Sequence, residues 1–176
     1  MSVSVKGNGV GGSIYVSGDK SLHMRGYIEN PNVDLPPNDK GKLDVGGCVG
    51  KEGYLSVVRD DGDNRPFVGT TALVSGEIGE DFAAYYAESE QLPTAIAVGV
   101  KIGKDGKCLG AGGVFLQPMP GAKEENIRKA EEAIYQFGAV SSMLERQTAE
   151  EILQEYFGSV KFYTLSPEYK CNCSRN

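Results

Sequence analysis

The sequence predicts an α+β protein: a hairpin-rich β core packed with helices, then a helical stretch and an extended tail. Three observations carry that. Of the 24 glycines, all but Gly138 and Gly158 lie within residues 1–121, which marks that part as strands and tight turns. Three hairpin-like units follow one another there. After Gly121 the apolar period changes to that of a helix. The expected division is a β-rich α+β core over 1–121, a helical linker over 122–158 and a tail over 159–176.

Residues 2–6 read as a strand. The first hairpin, residues 10–28, places Ser17-Gly18-Asp19 between two apolar runs. The second, residues 54–74, turns over 60–64, and the third, residues 95–116, bends at Lys104-Asp105-Gly106. Each turn carries Asp and Gly, which tolerate the positive φ of hairpin loops. PNVDLPPNDKGK (31–42), with three prolines, is a loop.

Between the second and third hairpins, SGEIGEDFAAYYAESEQ reads as a helix. Ser75 is the expected cap, and Glu77 and Glu80 suit the positive end of the helix dipole. Ile78, Phe82, Tyr85 and Tyr86 fall on its buried face, and Pro93 bounds it. Further on, Ile127, Ala130, Ile134 and Phe137 form an apolar stripe, with Gly138 as its stop. Thr148-Ala149-Glu150-Glu151 is a capping box for a helix burying Ile152, Tyr156 and Phe157. VKFYTL (160–165) then reads as a short β run leading through Pro167 to the tail.

A formal charge of -6 argues against nucleic acid, which rewards a basic surface. The longest apolar runs, such as TAIAVGV, are too short to span a bilayer. No basic start followed by an apolar block marks a signal peptide. A soluble, cytoplasmic protein with no membrane and no nucleic-acid partner is the expectation.

Several motifs invite a catalytic reading and fail on context. Gly7-Asn8-Gly9-Val10-Gly11-Gly12 has dinucleotide-site spacing, but a strand pattern, Ser-Ile-Tyr-Val, follows instead of a helix. Lys104-Asp105-Gly106-Lys107 lacks the glycine spacing of a P-loop. His23 is the only histidine, and its alternation with Leu22 and Met24 places it on a sheet's polar face. Ser89-Glu90-Gln91 reads as a helix terminus satisfying loose backbone groups. Cys48 and Cys108, in apolar or glycine-rich segments, read as small buried apolar residues.

Cys171 and Cys173, in the closing YKCNCSRN, are different. In an extended segment their sulfurs lie on one side of the backbone, where they can share a metal or oxidise to a bond. In a chain with no export signal, such a pair points to metal or redox chemistry more than to a structural bridge. Two other readings stand beside that one: a thiol-disulfide oxidoreductase using the pair directly, and a metal-free protein-binding module.

MRGYIENPNVDL (24–35), GYLSVVRD (53–60), FVGTTALVSGEIGEDFAAYYAESEQLPTAIAVGV (67–100), AGGVFLQPMPGA (111–122), TAEEILQEYF (148–157) and the terminal YKCNCSRN run in one order. In these the chain resembles the redox-regulated holdase chaperones of the heat-shock protein 33 family, the 33 kDa chaperonins. The resemblance implies an ATP-independent chaperone, not an enzyme, with a mixed-sheet core. It implies inactivity while a C-x-C and a later C-x-x-C hold zinc as thiolates. Oxidation to disulfides then releases the metal, unfolds the C-terminal region and exposes surface for unfolding clients, with dimerisation.

Carried onto this sequence, Cys171 and Cys173 are the implied zinc ligands and one implied redox disulfide. Ile127, Ile134, Phe137, Ile152, Tyr156 and Phe157 are the expected switch or client-binding surface, expected to pack on the sheet domain in the inactive state. The C-x-x-C half and the family's opening segment are expected to lie outside these residues. Zinc is therefore expected in the intact protein, without tight binding by this stretch alone.

Overall fold

The computed structural model describes residues 1–62, 65–137, 139–158 and 160–171. Its elements in chain order are β1 (Ser2–Gly7), β2 (Ile14–Gly18), β3 (His23–Ile28), α1 (Val45–Val49), β4 (Gly53–Arg59), β5 (Phe67–Ala72), α2 (Ile78–Glu88), β6 (Ala95–Ile102), β7 (Cys108–Leu116), α3 (Glu124–Gln136), α4 (Val140–Leu144), α5 (Ala149–Phe157) and β8 (Glu168–Tyr169). The α+β class is as the sequence predicts, and all three hairpins form: β2–β3, β4–β5 and β6–β7.

The chain divides into two compact units. One comprises Met1–Gln91 with Thr164–Asn176, the other Leu92–Tyr163. In the first, a mixed six-stranded sheet runs β5-β4-β1-β2-β3-β8. Every neighbouring pair is antiparallel except β3 with β8, which is parallel.

Strand side chains alternate between faces, so each strand sends a distinct set to each side. Val5, Leu55 and Val57 point one way and are buried with Val49, Leu73 and Tyr85; Ile78, Phe82 and Tyr86 pack against this cluster. That is the α2 face read from the sequence. Its cap differs, however. Glu77, not Ser75, is the residue before the first turn, and Ser75 Oγ instead accepts the Glu77 N–H at 3.2 Å. The turn is fixed by buried Asp81, whose Oδ1 accepts the N–H groups of Val74 (2.8 Å) and Ser75 (3.1 Å).

The glycine run at 7–12 has a structural purpose. Gly9 N–H donates to the Val49 carbonyl at 2.9 Å and Gly11 N–H to the Cys48 carbonyl at 2.8 Å, laying the loop directly on α1. A Cβ on Gly9 would sit 2.3 Å from the Cys48 carbonyl oxygen, so only glycine permits the approach. β2 follows the loop, in keeping with the strand pattern that set aside a nucleotide site.

In the second unit, α4 lies on the β6–β7 ribbon. A Cβ on Gly110 would meet the Ser141 carbonyl oxygen at 2.5 Å, which explains a glycine-rich strand here. Lys101 pairs with Glu145 across the same contact. The Thr148 capping box forms in full, with Thr148 Oγ1 accepting the Glu151 N–H and the Glu151 carboxylate accepting the Thr148 N–H. One expectation is corrected. VKFYTL is not a strand; the short strand β8 forms at Glu168–Tyr169 instead, because that is where backbone meets the free edge of β3. Five-residue helices α1 and α4 are too short to show a period in the sequence. The expected helix stop at Gly138 lies outside the described residues.

At Ser89-Glu90-Gln91 the groups satisfied are side chains, not the loose backbone groups expected. The Glu90 carboxylate accepts the hydroxyl of fully buried Tyr85 at 2.6 Å and Arg59 Nη2 at 2.8 Å. Burial, reinforced by the Glu90 charge, pushes the Tyr85 phenol up to about 12. Tyr85→Phe removes one donor from a nearly buried carboxylate and is expected to cost about 1–3 kcal/mol. Urea unfolding measures this; an unchanged midpoint would mean that the hydroxyl contributes nothing.

Candidate functional site

The second face of the six-stranded sheet is the counterpart of the core face, built by the same alternation. It carries Ser4, Lys6, Tyr15, Arg25, Tyr27, Tyr54, Ser56 and Val68. Tyr15 and Tyr27 stack with ring centres 5.1 Å apart. Lys6 Nζ lies 5.7 Å from the ring centres of both Tyr15 and Tyr54, and hydrogen bonding to Tyr15, then Tyr54, raises its pKa. Arg25 Nε donates to Ser17 Oγ at 3.0 Å. A groove of about 610 Å³ opens along this face, and Tyr169 and Cys171 from the tail also line it.

The tail reaches the groove by adding a strand. Glu168 N–H donates to the Leu22 carbonyl and Lys170 N–H to the Met24 carbonyl, each at 2.9 Å. Leu22 holds φ at 63°, a left-handed conformation uncommon for a branched residue, which turns its carbonyl toward the tail's amide. Asp19 organises that turn, accepting the N–H groups of Ser21 at 2.8 Å and His23 at 3.3 Å. His23 bridges turn and tail: Nδ1 lies 3.4 Å from Asp19 Oδ2 and Nε2 3.9 Å from Glu168 Oε2.

Of the residues singled out in the sequence, the structure places Cys171 exposed beside this groove, two residues beyond β8. Cys173 lies outside the described residues. Cys48 is half-buried in α1; Cys108 is exposed at the first position of β7, contrary to the buried position expected, because it opens the strand beside the turn.

The six apolar helix residues belong to the second unit, where α3 packs on α5. Phe137 stacks on Tyr156 at 4.4 Å between ring centres and tilts against Phe157 at 5.9 Å. Ile152 is buried, and Ile127 and Ile134 are half-buried. What sequence reasoning missed is the open sheet face. Its signal was present in the alternation of SVSVK and IYVSG, which puts Ser, Lys and Tyr together on one side.

A family model described as Hsp33 protein matches residues 1–176. The chain belongs to the Hsp33 family. It is 46% identical over 180 residues to the 33 kDa chaperonin of Oceanobacillus iheyensis, covering 100% of this chain and 62% of that one. It is 45% identical over 179 residues to the 33 kDa chaperonin of Caldanaerobacter subterraneus subsp. tengcongensis, covering 99% and 61%. The crystal structure of the 33 kDa chaperonin (heat shock protein 33 homolog) of Thermotoga maritima superposes with a TM-score of 0.88 at 38% identity, covering 99% of this chain and 60% of that one. The chain thus spans about three fifths of these Hsp33 relatives.

The metal that Hsp33 resemblance implies can be tested against the donors present. A closed structural zinc site takes four donors. Among the described residues no group of three or more His, Cys, Asp or Glu side chains could hold a metal ion. Cys171 is one thiol at an exposed position, so the described donors do not by themselves form the site.

No described helix is long and apolar enough to cross a membrane.

The seat of the tail has a pH dependence. The Ser21 N–H chiefly, then His23, hold the Asp19 carboxyl below its ordinary value of 3.8. A depressed carboxyl contributes stability that is full above the unfolded value and lost as pH falls through the folded one. Amide exchange at Ser21, His23, Glu168 and Lys170, corrected for intrinsic rates, should therefore accelerate below that range. Asp19→Asn should produce the same loosening at neutral pH. Unchanged protection in both experiments would separate the turn from the seat of β8.

Proposed function

We propose that the chain forms the client-holding part of an ATP-independent, redox-regulated chaperone of the cytoplasm, without enzymatic activity. The supporting observation is that the described tail carrying Cys171 joins the edge of the sheet, beside its tyrosine-rich face, through a short strand. The names of the Hsp33 relatives support the coarser part of the reading, a chaperone. The partners are unfolding proteins, and the active form is a dimer.

In the resting state Cys171 and Cys173 contribute two thiolates to a zinc site whose other donors come from outside these 176 residues. Zinc bound there would hold the thiolates together and tether the end of the tail. Oxidation would join the two thiolate sulfurs, passing two electrons to the oxidant with no proton to release because both are already deprotonated, and a disulfide is a poor metal donor. The tether is then lost. The Phe137–Tyr156 helical cluster is the second element of the switch, because several side chains worth about 1.5–3 kcal/mol each hold it without locking it.

The direct test is aggregation of a heat-unfolded client in the presence of a full-length Hsp33 form bearing this sequence, reduced and oxidised, with zinc release followed in parallel. The oxidised form should protect and the reduced, zinc-loaded form should not. Cys171→Ser with Cys173→Ser should remove metal control while leaving the sheet unit folded. Equal protection by reduced and oxidised protein would overturn the redox switch.

The 176-residue chain itself should bind zinc weakly, because two thiolates leave half of a tetrahedral shell to water. Titration against a competing chelator reads this. Tight stoichiometric binding would mean that other donors of the chain complete the site.

A further inference from the structure

β3 has six residues, and β8 pairs with only His23 and Met24. Residues turn their amide groups alternately to the two sides of a strand, so Gly26 and Ile28 face the same edge as Met24. Among the described residues no strand pairs with that stretch, and the Gly26 carbonyl accepts the Tyr169 hydroxyl at a long 3.4 Å. Long free edges are ordinarily blunted by proline, bulges or a covering element. β3 contains no proline, pairs with β2 in unbroken register, and among the described residues is paired on its other side by the short β8.

We propose that the β3 edge is a strand-addition site for an extended segment of an unfolded client, with the tail as its occupant in cis. This rests on the chaperone reading and specifies how a client is gripped. The tail demonstrates the mode: an extended segment donates its N–H groups to β3 carbonyls, and its Tyr169 borders the groove. A client strand pairing with Gly26 and Ile28 continues that ladder and sets alternate side chains beside Tyr15 and Tyr27. Main-chain bonds supply affinity without sequence preference, as a binder of many unfolded proteins requires. Client and tail compete for one edge, so release of the tail lengthens the site.

The test uses the whole chain and a fluorescein-labelled nonapeptide of alternating valine and glutamate. Its counterpart is N-methylated at the two central residues, one for each edge of the peptide. Fluorescence anisotropy should show at least tenfold weaker binding of the methylated peptide. Glu168→Pro, which removes the N–H donated to Leu22, should bind the parent peptide at least threefold more tightly. Equal affinity for the two peptides, no binding of the parent, or no gain in Glu168→Pro would each overturn the proposal. Client aggregation measured on the full-length form separates the two readings. Protection without methylation sensitivity discards the edge and keeps the chaperone; methylation-sensitive binding without protection does the reverse.

Discussion

Burial of Tyr85 is the constraint from which the rest of the sheet unit follows. The side chain has no exposed surface, and its hydroxyl reaches Glu90, which also takes Arg59 from β4. α2 is thereby fixed at two levels, by an aromatic ring in the core and by a charged clamp at its C-terminal end. A sheet with a helix fixed on one face has its apolar alternates committed there. The other alternates, Ser4, Lys6, Tyr15, Tyr27 and Ser56, are left as an open surface that is partly polar and partly aromatic. Such a surface combines hydrogen-bonding groups with the faces of aromatic rings.

The two attachments of this sheet differ in strength by design of the contacts. Leu55, Val57 and Tyr85 each bury a large side chain fully, worth about 1.5–3 kcal/mol apiece. Among the described residues β8 is held by its short ladder with β3 and by the Glu168 and Lys170 amide bonds, each of net worth about 1 kcal/mol, with Tyr169 still 72% exposed. Local opening follows that ranking. By that ranking β8 should open more readily than α2.

Much of this was legible in the sequence where period and turn chemistry agree. The three hairpins, the buried face of α2 and the Thr148 capping box follow from alternation, Asp-Gly turns and helical spacing. What escaped are features set by approach between distant segments. Ser75 reads as a cap, yet Asp81 takes the turn amides because its carboxylate is buried against them. VKFYTL has strand composition yet forms none, while the two-residue Glu168–Tyr169 pairs with the edge of β3. Strand formation there is decided by the neighbour, not by the propensity. The candidate site divides the same way: Cys171 announces itself by spacing, whereas the tyrosine face needs the pairing register that brings β1, β2 and β3 together.

The location of Cys171 gives its chemistry leverage that Cys48 does not have. Cys48 sits in α1 against the glycine loop, where a Cβ on Gly11 would lie 2.6 Å from its sulfur; disturbing it means moving packed backbone. Cys171 stands two residues past a strand whose Glu168 and Lys170 amide bonds together have a net worth of about 2 kcal/mol. A shift of that size changes a two-state population by more than tenfold, since about 1.4 kcal/mol is one decade. A covalent or metal-binding event at the tail therefore needs to transmit little free energy to change how much of β3 is free. The same event in the core would have to overcome the packing of Tyr85 and its neighbours, so a switch that leaves the fold intact belongs at the weakly held edge.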